Sequence, residues 1–91
     1  MFVVMTYDVD AKRTVRAMRT AKRYLRWVQR SVFEGDMTEG GLASLKADLA
    51  RVLNPEHDRV LFYVWAHRQY VSCKGLGLCA GRAGGGKTNF I

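Results

Sequence analysis

The chain has 91 residues, eight carboxylates against fifteen Lys and Arg, and a formal charge of +7. Hydrophobic residues make up 48% of it, enough for one small core, which excludes a disordered chain and a multidomain enzyme. Two cysteines, Cys73 and Cys79, are too few for a disulfide framework and lack the spacing of a zinc half-site, so they read as free thiols in a reducing cytosol.

Phe2 to Val9, FVVMTYDV, is dense in β-branched and aromatic residues and predicts a buried strand. It is too short to span a bilayer and no charged segment precedes it, so a cytoplasmic location is expected. Asp10 suits the N-cap of a helix over residues 11–26, whose Ala11, Thr14, Val15, Met18, Ala21 and Leu25 share one side. Residues 24–37, YLRWVQRSVFEGDM, return to strand character as two short strands, with a bend that the pattern does not locate. A second helix is expected over 39–53, capped by Asp36 or Thr38, with Leu42, Leu45, Leu49, Val52 and Leu53 as its core stripe. Gly40-Gly41 weakens its first turn and Asn54-Pro55 stops it. Asp58 to Trp65, DRVLFYVW, is strongly β, and a further short strand is expected at Tyr70 and Val71.

This order predicts an α+β fold: a ferredoxin-like βαββαβ sandwich over residues 1–74, with one antiparallel sheet and both helices on one face. Residues 75–91 form a glycine-rich C-terminal extension, with six of the nine glycines between Gly75 and Gly86.

Charge is clustered. From Ala11 to Phe33 there is no Asp or Glu, while Lys12, Arg13, Arg16, Arg19, Lys22, Arg23, Arg26 and Arg30 all fall inside. Lys12, Arg16, Arg19, Arg23 and Arg26 follow a 4-3-4-3 spacing. On a helix they form one band about 21 Å long, able to lie along several phosphates. A face that only solvates mixes its signs, and this one does not. Lys12, Arg16, Arg19, Arg23, Arg26 and Arg30 are therefore the expected nucleic-acid contacts.

Among the carboxylates, Asp48 is expected on the solvent side of its helix, and Glu56 and Asp58 in a solvated loop. Asp8 differs, because it ends an apolar strand beside a cationic helix. It suits a helix cap, a bond to a basic neighbour or a magnesium ligand. One Asp per chain is thin for magnesium, but two chains each supplying Asp8 across a two-fold axis suffice. Residues 81–88, GRAGGGKT, match the phosphate-loop pattern letter for letter. Only three residues follow Thr88, so no helix can start there to aim amides at a nucleotide. His57 and His67 are isolated.

Three segments together are recognisable: VVMTYDV at 3–9, WVQRSVFEGDMT at 27–38, and DRVLFYVW after the Leu-striped helix. Over residues 2–65 the chain resembles CRISPR-associated protein two, the small dimeric partner of the CRISPR integrase. The resemblance implies a two-fold homodimer and metal-dependent cleavage of RNA or DNA, with Mg2+ as cofactor and Asp8 as metal ligand and catalytic residue. It also implies a scaffold in spacer acquisition that bridges the integrase (CRISPR-associated protein one) and supports duplex DNA, with single-stranded RNA as another substrate. The scaffold is the expected physiological role, with nuclease activity secondary, because basic residues are abundant and polar catalytic groups scarce. Trp27 stands where many relatives carry Arg, and a loop glycine between first helix and second strand is missing. Phe90 and Ile91, apolar after a glycine-rich stretch, suit a docking strand for a partner's sheet edge. A structural nucleic-acid-binding dimer without catalysis, or a related toxin-type endoribonuclease, is the alternative.

Overall fold

A computed structural model describes residues 1–74. Four strands and two helices follow in the expected order: β1 Phe2–Asp8, α1 Ala11–Lys22, β2 Arg26–Gln29, β3 Val32–Asp36, α2 Glu39–Ala50 and β4 Arg59–Trp65. The sheet runs β2-β3-β1-β4 with every neighbouring pair antiparallel, which is the ferredoxin-like order. The bend between β2 and β3 falls at Arg30 and Ser31. Tyr70 and Val71 do not form a strand: Arg68–Tyr70 is a single 3-10 turn. Among the described residues no helix is long and apolar enough to cross a membrane.

The core sits on one face of the sheet. Val3 and Met5 of β1 stand beside Gly35 and Phe33 of β3, and all side chains of this set point to the helices. Leu42, Leu45 and Leu49 of α2 close over them as the leucine spacing requires. Leu25 also enters this core, and an added Cβ at Gly35 would lie 3.2 Å from Leu25 Cδ2. The glycine of the F-E-G run therefore keeps room for a leucine between two strands. Thr38 is the N-cap of α2, its hydroxyl accepting from the Gly41 amide at 3.0 Å, which offsets the weak glycine pair.

α1 departs from its expected form in two ways. It ends at Lys22, and the amides of Tyr24 and Leu25 turn back to the Ala21 carbonyl. Its buried residues are Ala17, Thr20 and Ala21, while Val15 is 57% exposed. Small side chains let the helix lie close to the sheet, and Thr20 is satisfied there by donating to the Arg16 carbonyl at 3.0 Å.

Asp58 is not solvated. Its side chain is fully buried and accepts from Arg13 Nε at 2.6 Å and Nη2 at 3.1 Å, from the Asp10 amide at 2.9 Å and from the Asn54 amide at 2.8 Å. One carboxylate thus ties the start of α1, the chain after α2 and the approach to β4. The Arg13 hydrogen bond, helped by the two amides, holds the Asp58 carboxyl far below its ordinary 3.8, against the opposing effect of burial. A depressed carboxylate contributes stability that is complete above the unfolded value and lost as pH falls toward the folded one. Asp58→Asn should therefore lower Tm at neutral pH. It should also flatten the fall of Tm below about pH 4, where unfolded Asp titrates, as thermal melts across acid pH would show.

Candidate active site and nucleic-acid interface

Alternation along β1 sends Phe2, Val4, Thr6 and Asp8 to the face opposite the helices. Their partners on β4 are Trp65, Tyr63, Leu61 and Arg59, and on β3 Asp36, Glu34 and Val32 oppose the first three. Neither α1 nor α2 covers this face, although at its Phe2 end Arg68 of the 3-10 turn lies 5.3 Å from the ring centroid of Phe2, which is buried. Leu61 is 41% and Tyr63 49% exposed at successive outward positions of β4. Asp8 is exposed at its end, directly across from Arg59, and its carboxylate makes no hydrogen bond or ion pair with another described residue. Asp10, not Asp8, caps α1 by accepting from the Lys12 amide at 3.0 Å. The capping role left open for Asp8 is therefore taken by its neighbour.

Asp8 opens onto a cleft of about 370 Å³ shared with Tyr7, Val9, Thr14, Met18, Trp27, Arg30 and Ser31. The β2–β3 turn brings the last three there. Arg30 has a φ of +33°, in the left-handed region that costs an L-residue about 1–2 kcal/mol. Two side chains hold it: its carbonyl accepts from the Tyr7 hydroxyl at 3.2 Å and from Trp27 Nε1 at 3.0 Å. The Tyr7 amide also donates to the Ser31 carbonyl at 3.1 Å, so β1 and the turn are locked together beside Asp8. Burial raises the Tyr7 phenol above its ordinary 10.0, which keeps it a donor.

Metal donors are sparse. Among the described residues no group of three or more His, Cys, Asp and Glu could hold a metal ion. A magnesium ion would have Asp8 as its protein ligand from one chain. The exposed, unpartnered carboxylate fits that role, since magnesium keeps most of its other positions for water and phosphate oxygens.

The basic band is divided by the fold. Lys12, Arg16 and Arg19 lie exposed on α1 and pair with no carboxylate among the described residues. Arg23 caps the helix and donates to Asp48 at 3.2 Å. Arg26 is not on the helix: it lies on β2 and donates to the buried Glu34 at 3.1 Å. The continuous five-residue stripe is therefore cut to three free cations, because the helix stops early and two carboxylates, Asp48 of α2 and Glu34 of the adjoining strand, claim its last members. Asp48 is half-buried rather than solvated. It accepts from the Tyr24 hydroxyl and pairs with Arg23 and Arg51, and these hold its carboxyl below the ordinary range while Tyr24 is raised. Phe90, Ile91, Cys79 and residues 81–88 lie outside the described residues, and Cys73 is an exposed free thiol.

Comparison with known proteins agrees with this architecture. The sequence model described as "CRISPR associated protein Cas2" matches residues 1–72. A protein of Dictyoglomus turgidum named CRISPR-associated endoribonuclease Cas2 is 38% identical over 78 residues, 86% of this chain and 90% of its own. One of the same name from Thermotoga maritima is 37% identical over 84 residues, covering 92% and 97%. A solved structure titled as cas2 superposes with a TM-score of 0.81 at 34% identity, covering 88% of this chain and 90% of its own.

The strained turn offers a clean way to separate charge from fold. Arg30→Gly accepts the left-handed φ freely, keeps the carbonyl that Tyr7 and Trp27 need, and loses the cation. The relief of strain and the entropic cost of glycine nearly cancel, so stability should stay within about 1 kcal/mol of the parent in denaturant melts.

Proposed function

The chain belongs to the family of CRISPR-associated protein Cas2, and we propose that two copies form a homodimer with one shared, magnesium-dependent phosphodiesterase site that cleaves RNA. The observation that carries this reading is the place of Asp8: exposed, unpartnered, and at the end of the helix-free face that bears Leu61 and Tyr63. A second copy laid on that face removes its apolar side chains from water and relates the two β1 ends by a two-fold axis. Two Asp8 carboxylates then give magnesium the one or two protein ligands it commonly takes. Bound there, the ion would supply Lewis acidity at the scissile phosphate and an acidified water. Arg30 and Arg59 stand near Asp8 to offset the charge of the phosphate, and the Tyr7 hydroxyl keeps the Arg30 turn in place. The relatives' names support RNA as the substrate, and action on nucleic acid inside the cell accords with a cytoplasmic location.

A second reading has its own support in Lys12, Arg16 and Arg19. Three exposed cations without internal partners, doubled in the dimer, suit a platform for duplex DNA in spacer acquisition beside the CRISPR integrase, CRISPR-associated protein one. Phe90-Ile91 as a docking strand for that partner or for the second copy belongs to the same proposal.

Asp8→Asn should abolish magnesium-dependent cleavage of RNA while leaving Tm nearly unchanged, because the carboxylate holds nothing in the fold. Cleavage that survives in the purified variant excludes the catalytic role. For the platform, six free cations per dimer predict a log–log salt slope near about −5 for duplex DNA, at about −0.9 per contact. Arg16→Ala with Arg19→Ala should reduce it to about −2, and an unchanged slope would assign these residues to solvation alone.

A further inference from the structure

We propose that Trp27 is a stacking platform for an unpaired nucleobase in the cleft that it shares with Asp8. The inference rests on the phosphodiesterase reading for its ligand class and goes beyond it in naming how the strand is held. Trp27 is 37% exposed although it is the largest apolar side chain of an edge strand. Its indole N–H is already committed to the Arg30 carbonyl at 3.0 Å, which fixes the ring's orientation without using its π faces. The indole lines the same cleft of about 370 Å³ as Asp8, with Val9 and Met18 as apolar walls and Arg30 at the rim. An apolar slot with one oriented aromatic ring suits a base, and the neighbouring cation suits its phosphate.

The register also keeps the platform clear of the second copy. Trp27 pairs with Phe33, which pairs with Met5, so its side chain lies on the helix-bearing side of the sheet. The face proposed for dimerisation is the opposite one. A base in a duplex is stacked on its own neighbours and cannot offer its face to this slot, whereas any single-stranded base can. Stacking here therefore depends on strandedness and not on sequence.

The test uses the full chain carrying Asp8→Asn, so that bound RNA is not cut, and Trp65→Phe, which leaves Trp27 as the one indole. A short oligoadenylate should quench Trp27 fluorescence on binding, and the same strand annealed to oligouridylate should bind without comparable quenching. Trp27→Phe should retain most of the single-strand affinity followed by anisotropy, and Trp27→Ala should lose roughly tenfold or more. Saturation by oligoadenylate with no change in emission, equal quenching by the duplex, or an alanine variant that binds like its parent would each overturn the proposal. If Trp27→Ala does not fold, the contrast in quenching between single strand and duplex decides alone. Failure of the catalytic reading is seen separately, as cleavage by Asp8→Asn, and leaves the quenching result intact.

Discussion

A buried carboxylate closes this small fold. Asp58 accepts four hydrogen bonds from Arg13, Asp10 and Asn54, and so joins the start of α1 to the chain that follows α2. Charge-assisted bonds in a desolvated position are strong when every lone pair is used, and a buried charge without them is costly. Here the set is complete, and no buried side-chain nitrogen or oxygen among the described residues lacks a partner. The consequence is positional. Fixing Asp10 fixes the start of α1 and the exit of β1, and Asp8 lies on that exit.

The sheet then divides the labour. Its helix-bearing face holds the main core cluster, built from Val3, Met5 and Phe33 under three leucines of α2. Its other face carries Phe2, which Trp65 and Arg68 cover, and beyond it Val4, Leu61, Tyr63 and Asp8, over which neither α1 nor α2 lies. Since strand neighbours alternate faces, a single strand can bury Val3 and Met5 while presenting Asp8 outward. The same alternation places Trp27 on the helix side of an edge strand, where it lines a cleft with Met18 and Thr14 of α1 and the end of β1. The turn at Arg30 links these parts through one strained residue held by two aromatic donors.

Electrostatics across the molecule follows from where helices stop. Had α1 continued to residue 26, five cations would have stood in one row. Ending at Lys22 gives Arg23 to Asp48 and Arg26 to Glu34, and converts two possible phosphate contacts into internal ties. The remaining charge on Lys12, Arg16 and Arg19 is exposed and uncompensated, which is costly for the isolated helix and useful toward a polyanion.

Element types and order were legible in the sequence because they depend on local pattern. Runs dense in β-branched and aromatic residues marked β1 and β4, the leucine spacing marked α2 and its buried stripe, and Thr38 was one of two caps considered. Asp8 stood out because a carboxylate ending an apolar run is unusual wherever the chain goes next. The failures share one cause. Asp58 and Asp48 read as solvated because their partners, Arg13, Tyr24 and Arg23, lie 24 to 45 residues away. No local pattern encodes such a pairing. Val15 was assigned to the wrong side and Arg26 to the wrong element for the same reason: rotation of α1 and its last turn are set by close packing of Ala17 and Ala21 on the sheet and by insertion of Leu25 over Gly35. The sequence by itself determined which segments are strands or helices and that one carboxylate is distinctive. Tertiary packing alone decided which charges remain free and which side chains share the cleft with Asp8, because those depend on distances between residues that the chain order keeps apart.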